Sequence, residues 1–99
     1  MAEAYMIIGV DVHDEEAFGP YAVQVPAMMA KYGGEVLVAN DSFDVREGSF
    51  NRKRAVILKF PSMEQMTAFY DSEEYAPMIE LRKSVSDGDV VLVEGFELP

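Results

Sequence analysis

The chain contains no cysteine. Disulfides, thiolate zinc sites, iron–sulfur ligation and a cysteine nucleophile are therefore impossible, although the absence is neutral about compartment. Basic residues are scarce: eight Lys and Arg stand against 18 Asp and Glu, a formal net charge of −10 over 99 residues. A surface of that sign repels phosphate backbones and anionic lipid, so neither nucleic acid nor a membrane is expected as a partner. No apolar run approaches the roughly 20 residues that a membrane-spanning helix needs, and no basic region leads into an apolar stretch, so a cytoplasmic location is expected by default. Phosphate-binding and dinucleotide fingerprints are missing, since Gly33-Gly34 closes a helical pattern instead of opening one, and no serine stands in a nucleophile elbow. Linkers, repeats and low-complexity tracts are missing too.

What remains is about half apolar, enough for one compact domain over residues 1–99, near the lower end of the size that holds a core unaided. Tyr5 to Val12 reads as a strand with Met6, Ile8, Val10 and Val12 on one side and Tyr5, Ile7 and Gly9 on the other, both apolar. Asp14 caps a helix with Glu15 and Glu16 in its first turn and an inward stripe of Phe18, Tyr21, Ala22, Val25, Met28, Met29 and Tyr32. Gly19, Pro20 and Pro26 interrupt the stripe, predicting a short leading turn, then a helix from Pro20 that bends near Pro26. A second strand runs from Glu35 to Ala39, bulges at Asn40-Asp41-Ser42 and resumes through Phe43, Val45 and Glu47. Gly48 to Lys53 is a polar turn, and Arg54 to Phe60 is the third strand. Ser62 and Gln65 open a short helix, Ser72 recaps a second piece with Tyr75, Met78 or Ile79, Arg82 and Val85 inward, and Asp87-Gly88 turns into a last strand, Asp89 to Phe96, with a frayed end at Pro99. The order β-α-β-β-α-β predicts an α+β, ferredoxin-like sandwich: one antiparallel sheet with its helices on one face. Because the strands are apolar on both sides, the bare face needs a cover, and a second copy of the chain is the simplest one.

The punctuation is more distinctive than the order. Gly33-Gly34, Glu47-Gly48, Arg54 leading into Phe60-Pro61-Ser62, the run Phe69-Tyr70-Asp71-Ser72-Glu73-Glu74-Tyr75, Arg82 and Val93-Glu94-Gly95 together resemble the domain-of-unknown-function family 1330 across nearly the whole chain. The resemblance implies a ferredoxin-like sandwich that dimerises through its sheets into a dimeric α/β barrel, and implies no established reaction. The wider superfamily it resembles includes antibiotic-biosynthesis monooxygenases, muconolactone-isomerase-like enzymes and stress-responsive barrel proteins, which place a small apolar pocket between sheet and helices, some without any cofactor. Lys59 departs from the acidic residue usual before the Phe-Pro pair in such relatives.

Several side chains could carry chemistry. His13, the lone imidazole, lies between Asp11 and Asp14 and could act as a general base, though a surface role beside capping acids is the commoner fate. The same acids are poor evidence for a metal, and neither metal nor cofactor is expected. Arg54 shares a strand side with Val56, Leu58 and Phe60, and Arg82 falls on an inward helix stripe, so both guanidinium groups are drawn toward partly buried positions and each needs an anion. Glu47 and Glu94 could supply it as structural ion pairs. Alternatively one arginine is free in a pocket to bind a substrate carboxylate or enolate. Tyr21, Tyr32, Tyr70 and Tyr75 lie on helix stripes, where an aromatic is usually core, yet phenols beside a guanidinium can polarise a carbonyl. Two functions follow: a dimeric module binding a small apolar or carboxylate-bearing metabolite through Arg54, Arg82, Tyr21 and Tyr75, or a cofactor-independent isomerase or monooxygenase-like enzyme on a small carbonyl compound. In the second, Arg54 or Arg82 is the electrophile and Tyr70, Tyr75 or Glu47 moves the proton.

Overall fold

A computed structural model describes residues 2–97; the end read as frayed at Pro99 lies outside them. The elements are β1 (Ala4–Val12), α1 (Glu15–Ala30), β2 (Glu35–Asn40), β3 (Arg54–Phe60), α2 (Met63–Tyr70), α3 (Ala76–Val85) and β4 (Ser86–Glu94). All pairings in the sheet are antiparallel, in the order β2-β3-β1-β4, which makes the fold an α+β, ferredoxin-like sandwich. Register explains the layering. Met6 faces Leu58 and Leu92, and Ile8 faces Val56 and Val90, so one side of the central strands is a continuous apolar surface. Onto it α1 contributes Val25 and Met29, α2 contributes Met66 and Phe69, and Tyr75 enters just ahead of α3, all buried. Phe69 is the hub, its ring 4.3 Å from that of Tyr75 and 5.5 Å from that of Phe60. No helix among the described residues is long and apolar enough to cross a membrane.

The helix signals act where the sequence puts them. Asp14 accepts the Ala17 amide at 3.0 Å, and Ser62 accepts that of Gln65 at 3.1 Å, each supplying an acceptor that the first turn lacks. Ser72 accepts the Tyr75 amide at 3.2 Å, with a turn before α3 begins at Ala76. At the end of α1 the Gly33 and Gly34 amides return to Ala30 and Met29, with Gly33 at φ 79°. Gly34 has a separate reason: a β-carbon there would sit 2.5 Å from the Phe60 ring.

Three element boundaries differ from the sequence expectation. α1 is one continuous helix from Glu15, with Pro20 and Pro26 inside it, not a leading turn followed by a helix from Pro20. Each proline removes one helical donor at a cost of about 3 kcal/mol, and burial of Val25 and Met29, roughly 1.5–3 kcal/mol each, offsets it. β2 ends at Asn40 and does not resume at Phe43, Val45 and Glu47, because its only partner is β3 and the ladder is used up at the pair Asn40–Ala55. Asn40 instead turns the chain by accepting the Ser42 amide at 2.8 Å. β4 begins at Ser86 and stops at Glu94, with Asp87 and Gly88 inside the strand rather than in a turn, since both pair with β1. Full ladder pairing overrides their turn preference.

Among the described residues, no helix covers the other side of the sheet. Ile7 and Val91, a cross-strand pair there, are 45% and 53% exposed, so the side expected to need a cover is bare in the single chain. Residues 49–53 lie across part of it, over Gly9 of the internal strand β1. A β-carbon on Gly9 would meet the Arg52 side chain at 2.9 Å and the Phe50 ring at 3.2 Å, and Arg52 is tied to Asp11 and Asp89 while the Lys53 amide donates to Asp11 at 2.6 Å. The expected polar turn thus packs on the sheet.

Candidate functional site

The helix-facing side of the sheet is not completely filled. Between α1 and the β2–β3 half of the sheet lies a cavity of about 600 Å³, floored by Ile8, Val56 and Leu58 and roofed by Phe18, Tyr21, Ala22, Val25 and Met29. Ala22 and Pro26 are short side chains at positions of α1 that face the sheet, so the roof stands off the floor there. Pro26 also removes the amide that would donate to the Ala22 carbonyl in a regular helix. The bulge between Val36 and Val38 turns both Val36 and Ala39 toward the cavity, three residues apart in a strand where alternation would separate them.

Two arginines belong to this cavity, and their settings differ. Arg54 stands at the rim, where Asp41 accepts from Nε at 2.5 Å and Glu15 accepts from Nη2 at 2.8 Å. Hydrogen bonding to Asp41 first, and also to Glu15, raises the Arg54 pKa against the lowering effect of burial, and the Asp41 carboxyl is held below its ordinary 3.8 by the same bond. The Arg54 charge is therefore compensated twice over. Arg82 forms part of the buried wall, 8% exposed, carried there by the inward stripe of α3. Among the described residues no carboxylate pairs with it; its neighbours are phenols, with Tyr70 Oη 3.5 Å from Nη2, and its Nε is buried with no acceptor.

Tyr21 and Tyr75 share a short hydroxyl–hydroxyl hydrogen bond beside Arg82. Burial raises the Tyr21 phenol above 10.0, with the Tyr75 hydrogen bond and the Arg82 charge holding it back; Tyr75 is raised strongly, by burial first and then by Tyr21. Either hydroxyl can donate in that bond, and of the two residues it is Tyr21 that lines the cavity.

The structure brings Arg54, Arg82 and Tyr21 to one cavity, with Tyr75 directly behind Tyr21 and Tyr70 beside Arg82. It does not bring Glu47 or His13 there. Glu47 is exposed in the 41–53 segment, and His13 Nε2 lies 2.7 Å from Asp87 on the surface, held by that residue and not by Asp11 or Asp14. Glu47 and Glu94 pair with neither arginine, a correction that follows from the early end of β2 and from the exposure of Glu94 at the end of β4. Lys59 is engaged by Glu3 at 3.0 Å and Glu35 at 3.4 Å, away from the cavity. The residues that sequence reasoning missed are Asp41 and Glu15: Asp41 sits in a bend that reads as punctuation, and Glu15 reads as a dipole partner of α1.

A four-stranded antiparallel sheet with this strand order, a helical layer on one side and a cavity beneath it define the ferredoxin-like fold of dimeric α/β-barrel proteins. The chain belongs to the family described as Domain of unknown function (DUF1330), whose model matches residues 3–96. Among curated proteins, none matches. Among solved structures, the RPA0582 protein of unknown function from Rhodopseudomonas palustris is similar with a TM-score of 0.79 at 14% identity, over 98% of this chain and 85% of that one. SnoaB, a cofactor-independent oxygenase from Streptomyces nogalater, is similar with a TM-score of 0.66 at 10% identity, over 99% and 97% of the two chains. An antibiotic biosynthesis monooxygenase is similar at 0.55 and 16% identity, over 94% and 99%. At these identities the likeness is one of fold.

Proposed function

We propose that the protein is a binding module for a small apolar or carboxylate-bearing metabolite, taken into the cavity under α1. One observation carries the reading: a cavity of about 600 Å³ with an apolar floor and roof and a guanidinium on its buried wall, a size and lining suited to a small ligand. Ala22→Phe would fill the space beneath the roof from an exposed position on α1. A thermal-shift screen of aromatic acids, lactones and β-keto acids should give compounds that raise the melting temperature of the wild type and not of Ala22→Phe. Equal shifts in both proteins would place binding elsewhere and end this reading.

A second reading, a cofactor-independent enzyme acting on a small carbonyl compound, is favoured by one arrangement: Tyr21 and Arg82 both present donors on the wall, as stabilisation of an enolate oxygen requires. The fold neighbour named as a cofactor-independent oxygenase points the same way. Turnover assays on every compound that shifts the wild type separate the readings, since a ligand bound but never converted leaves only the module.

The assembly belongs to the same proposal. A second copy of this chain covers the bare sheet side, where Ile7, Val91 and Val93 lie exposed, with Phe43 and Phe50 exposed on the 41–53 segment. An isologous contact of this apolar kind buries more than roughly 2,000 Å² in an obligate dimer. Sedimentation should show a dimer at micromolar concentration, and Val91→Glu should dissociate it; a soluble monomeric wild type would remove the second copy from the account.

A further inference from the structure

The wall around Arg82 has more hydrogen-bond donors than acceptors. A guanidinium offers five N–H groups and accepts nothing. Among the described residues the side chains that act on it are the phenols of Tyr21, Tyr70 and Tyr75, and Nε has no acceptor. Either hydroxyl of the Tyr21–Tyr75 pair can donate; with Tyr75 as donor the Tyr21 O–H is free for a ligand, and Tyr21 and Arg82 are the two members of this cluster on the cavity wall. A cationic group 92% buried, with no carboxylate, next to a spare O–H donor, calls for an anionic oxygen. The rim has the opposite balance: Asp41 and Glu15 outnumber Arg54 by one charge.

We infer that the ligand is an apolar monoanion that enters acid first, its oxygen received by Arg82 and Tyr21, while the net-negative rim set by Asp41 and Glu15 rejects a second acidic group at the outer end. Arg54 takes no part in holding the anion. The inference rests on the cavity being the binding site and adds to it the charge and orientation of the ligand. It makes Arg82 and Tyr21 the specificity-determining residues and excludes dicarboxylates that are long enough to reach the rim.

The test uses three probes of similar shape: phenylbutyrate, its methyl ester and its para-carboxy derivative, titrated by calorimetry into the full chain. Phenylbutyrate should bind roughly tenfold or more tighter than the ester, the discrimination that one charge-assisted hydrogen-bonded contact provides. The para-carboxy compound should bind more weakly than phenylbutyrate, and Asp41→Asn should narrow that gap. Arg82→Met should bind phenylbutyrate and ester alike, with the ester affinity unchanged. Should Arg82→Met fail to fold, Tyr21→Phe serves instead: it keeps the ring, and it should weaken phenylbutyrate while sparing the ester. If wild type binds the ester as tightly as the acid, and Ala22→Phe abolishes both, the cavity reading stands and the anion inference falls. If none of the probes binds, both fall. If the para-carboxy compound binds best, the rim argument is overturned.

Discussion

The two arginines of the cavity carry the same charge and line one small space, yet they are held by different chemistry. Arg54 at the rim has two carboxylates, both more than half exposed, in a setting where water screens the interaction. Arg82 on the buried wall has three phenols, an orphaned Nε and no ion pair among the described residues. Solvent-exposed pairs of the first kind contribute little to stability, and an unpaired buried charge of the second kind detracts from it. A fold that keeps the second arrangement carries it at a thermodynamic cost, and under the proposal above an anionic ligand would offset that cost.

The largest effect that would sharpen this contrast is at the buried wall. Tyr75→Ala removes a ring packed on Phe69 and hydrogen-bonded to Tyr21, and should lose roughly 3–5 kcal/mol in a denaturant melt. A loss below about 1 kcal/mol would mean that the wall collapses easily and does not hold Tyr21 in place. Next comes Arg82→Met, which exchanges a poorly satisfied charge for an apolar side chain of similar length. Its stability should lie between unchanged and about 2 kcal/mol above wild type in the absence of ligand. A marked destabilisation would reveal a counter-charge and erase the difference between the two arginines.

Smaller effects test the rim. Arg54→Met should cost at most about 1 kcal/mol, and less at high salt. The pH dependence follows from Asp41, whose carboxyl is lower in the folded protein than its ordinary 3.8. A depressed folded value means that its stabilising contribution is complete above the unfolded value and is lost as the pH falls through the folded one. An acid titration should therefore show a stability decrement below about pH 4 that Asp41→Asn lacks. At the alkaline end the signs reverse for Tyr21 and Tyr75. Their raised values favour the folded state up to the ordinary phenol range, and that contribution is lost as the pH climbs through and beyond it, so a denaturant melt should weaken on the alkaline side less in Tyr21→Phe than in the wild type. The smallest effect is expected of Glu47→Gln and Glu94→Gln, which should melt like wild type because neither carboxylate pairs with an arginine.

How much of this was legible in the chain differs between local and long-range signals. Caps at Asp14 and Ser62, the glycine pair after α1 and the alternation of Arg54, Val56, Leu58 and Phe60 are local, and each stands where the residues say; Ser72 instead holds the turn ahead of α3, which starts at Ala76 with no acid in its first turn. The inward direction of Arg82 was legible for the same reason, since three- and four-residue steps from Tyr75 through Ile79 leave it one face. Partnership was not. Which carboxylate meets Arg54 depends on where β2 stops, and β2 stops when β3 runs out of residues to pair, a property of the sheet and not of Phe43 or Val45. Asp87 and Gly88 misled for the same reason: as a dipeptide they favour a turn, and nine cross-strand partners on β1 hold them extended. The cavity itself had one faint signal, the small residues Ala22 and Pro26 on a helix face otherwise built of large ones.

The most direct test of the account is a crystal structure of the protein with phenylbutyrate. The account predicts the carboxylate within hydrogen-bond distance of Arg82 and of the Tyr21 hydroxyl, and the phenyl ring between Val25 and Val56, with Arg54 still bound to Asp41 and Glu15. A carboxylate on Arg54, or a ligand seated on the bare sheet side against Ile7 and Val91, would contradict it.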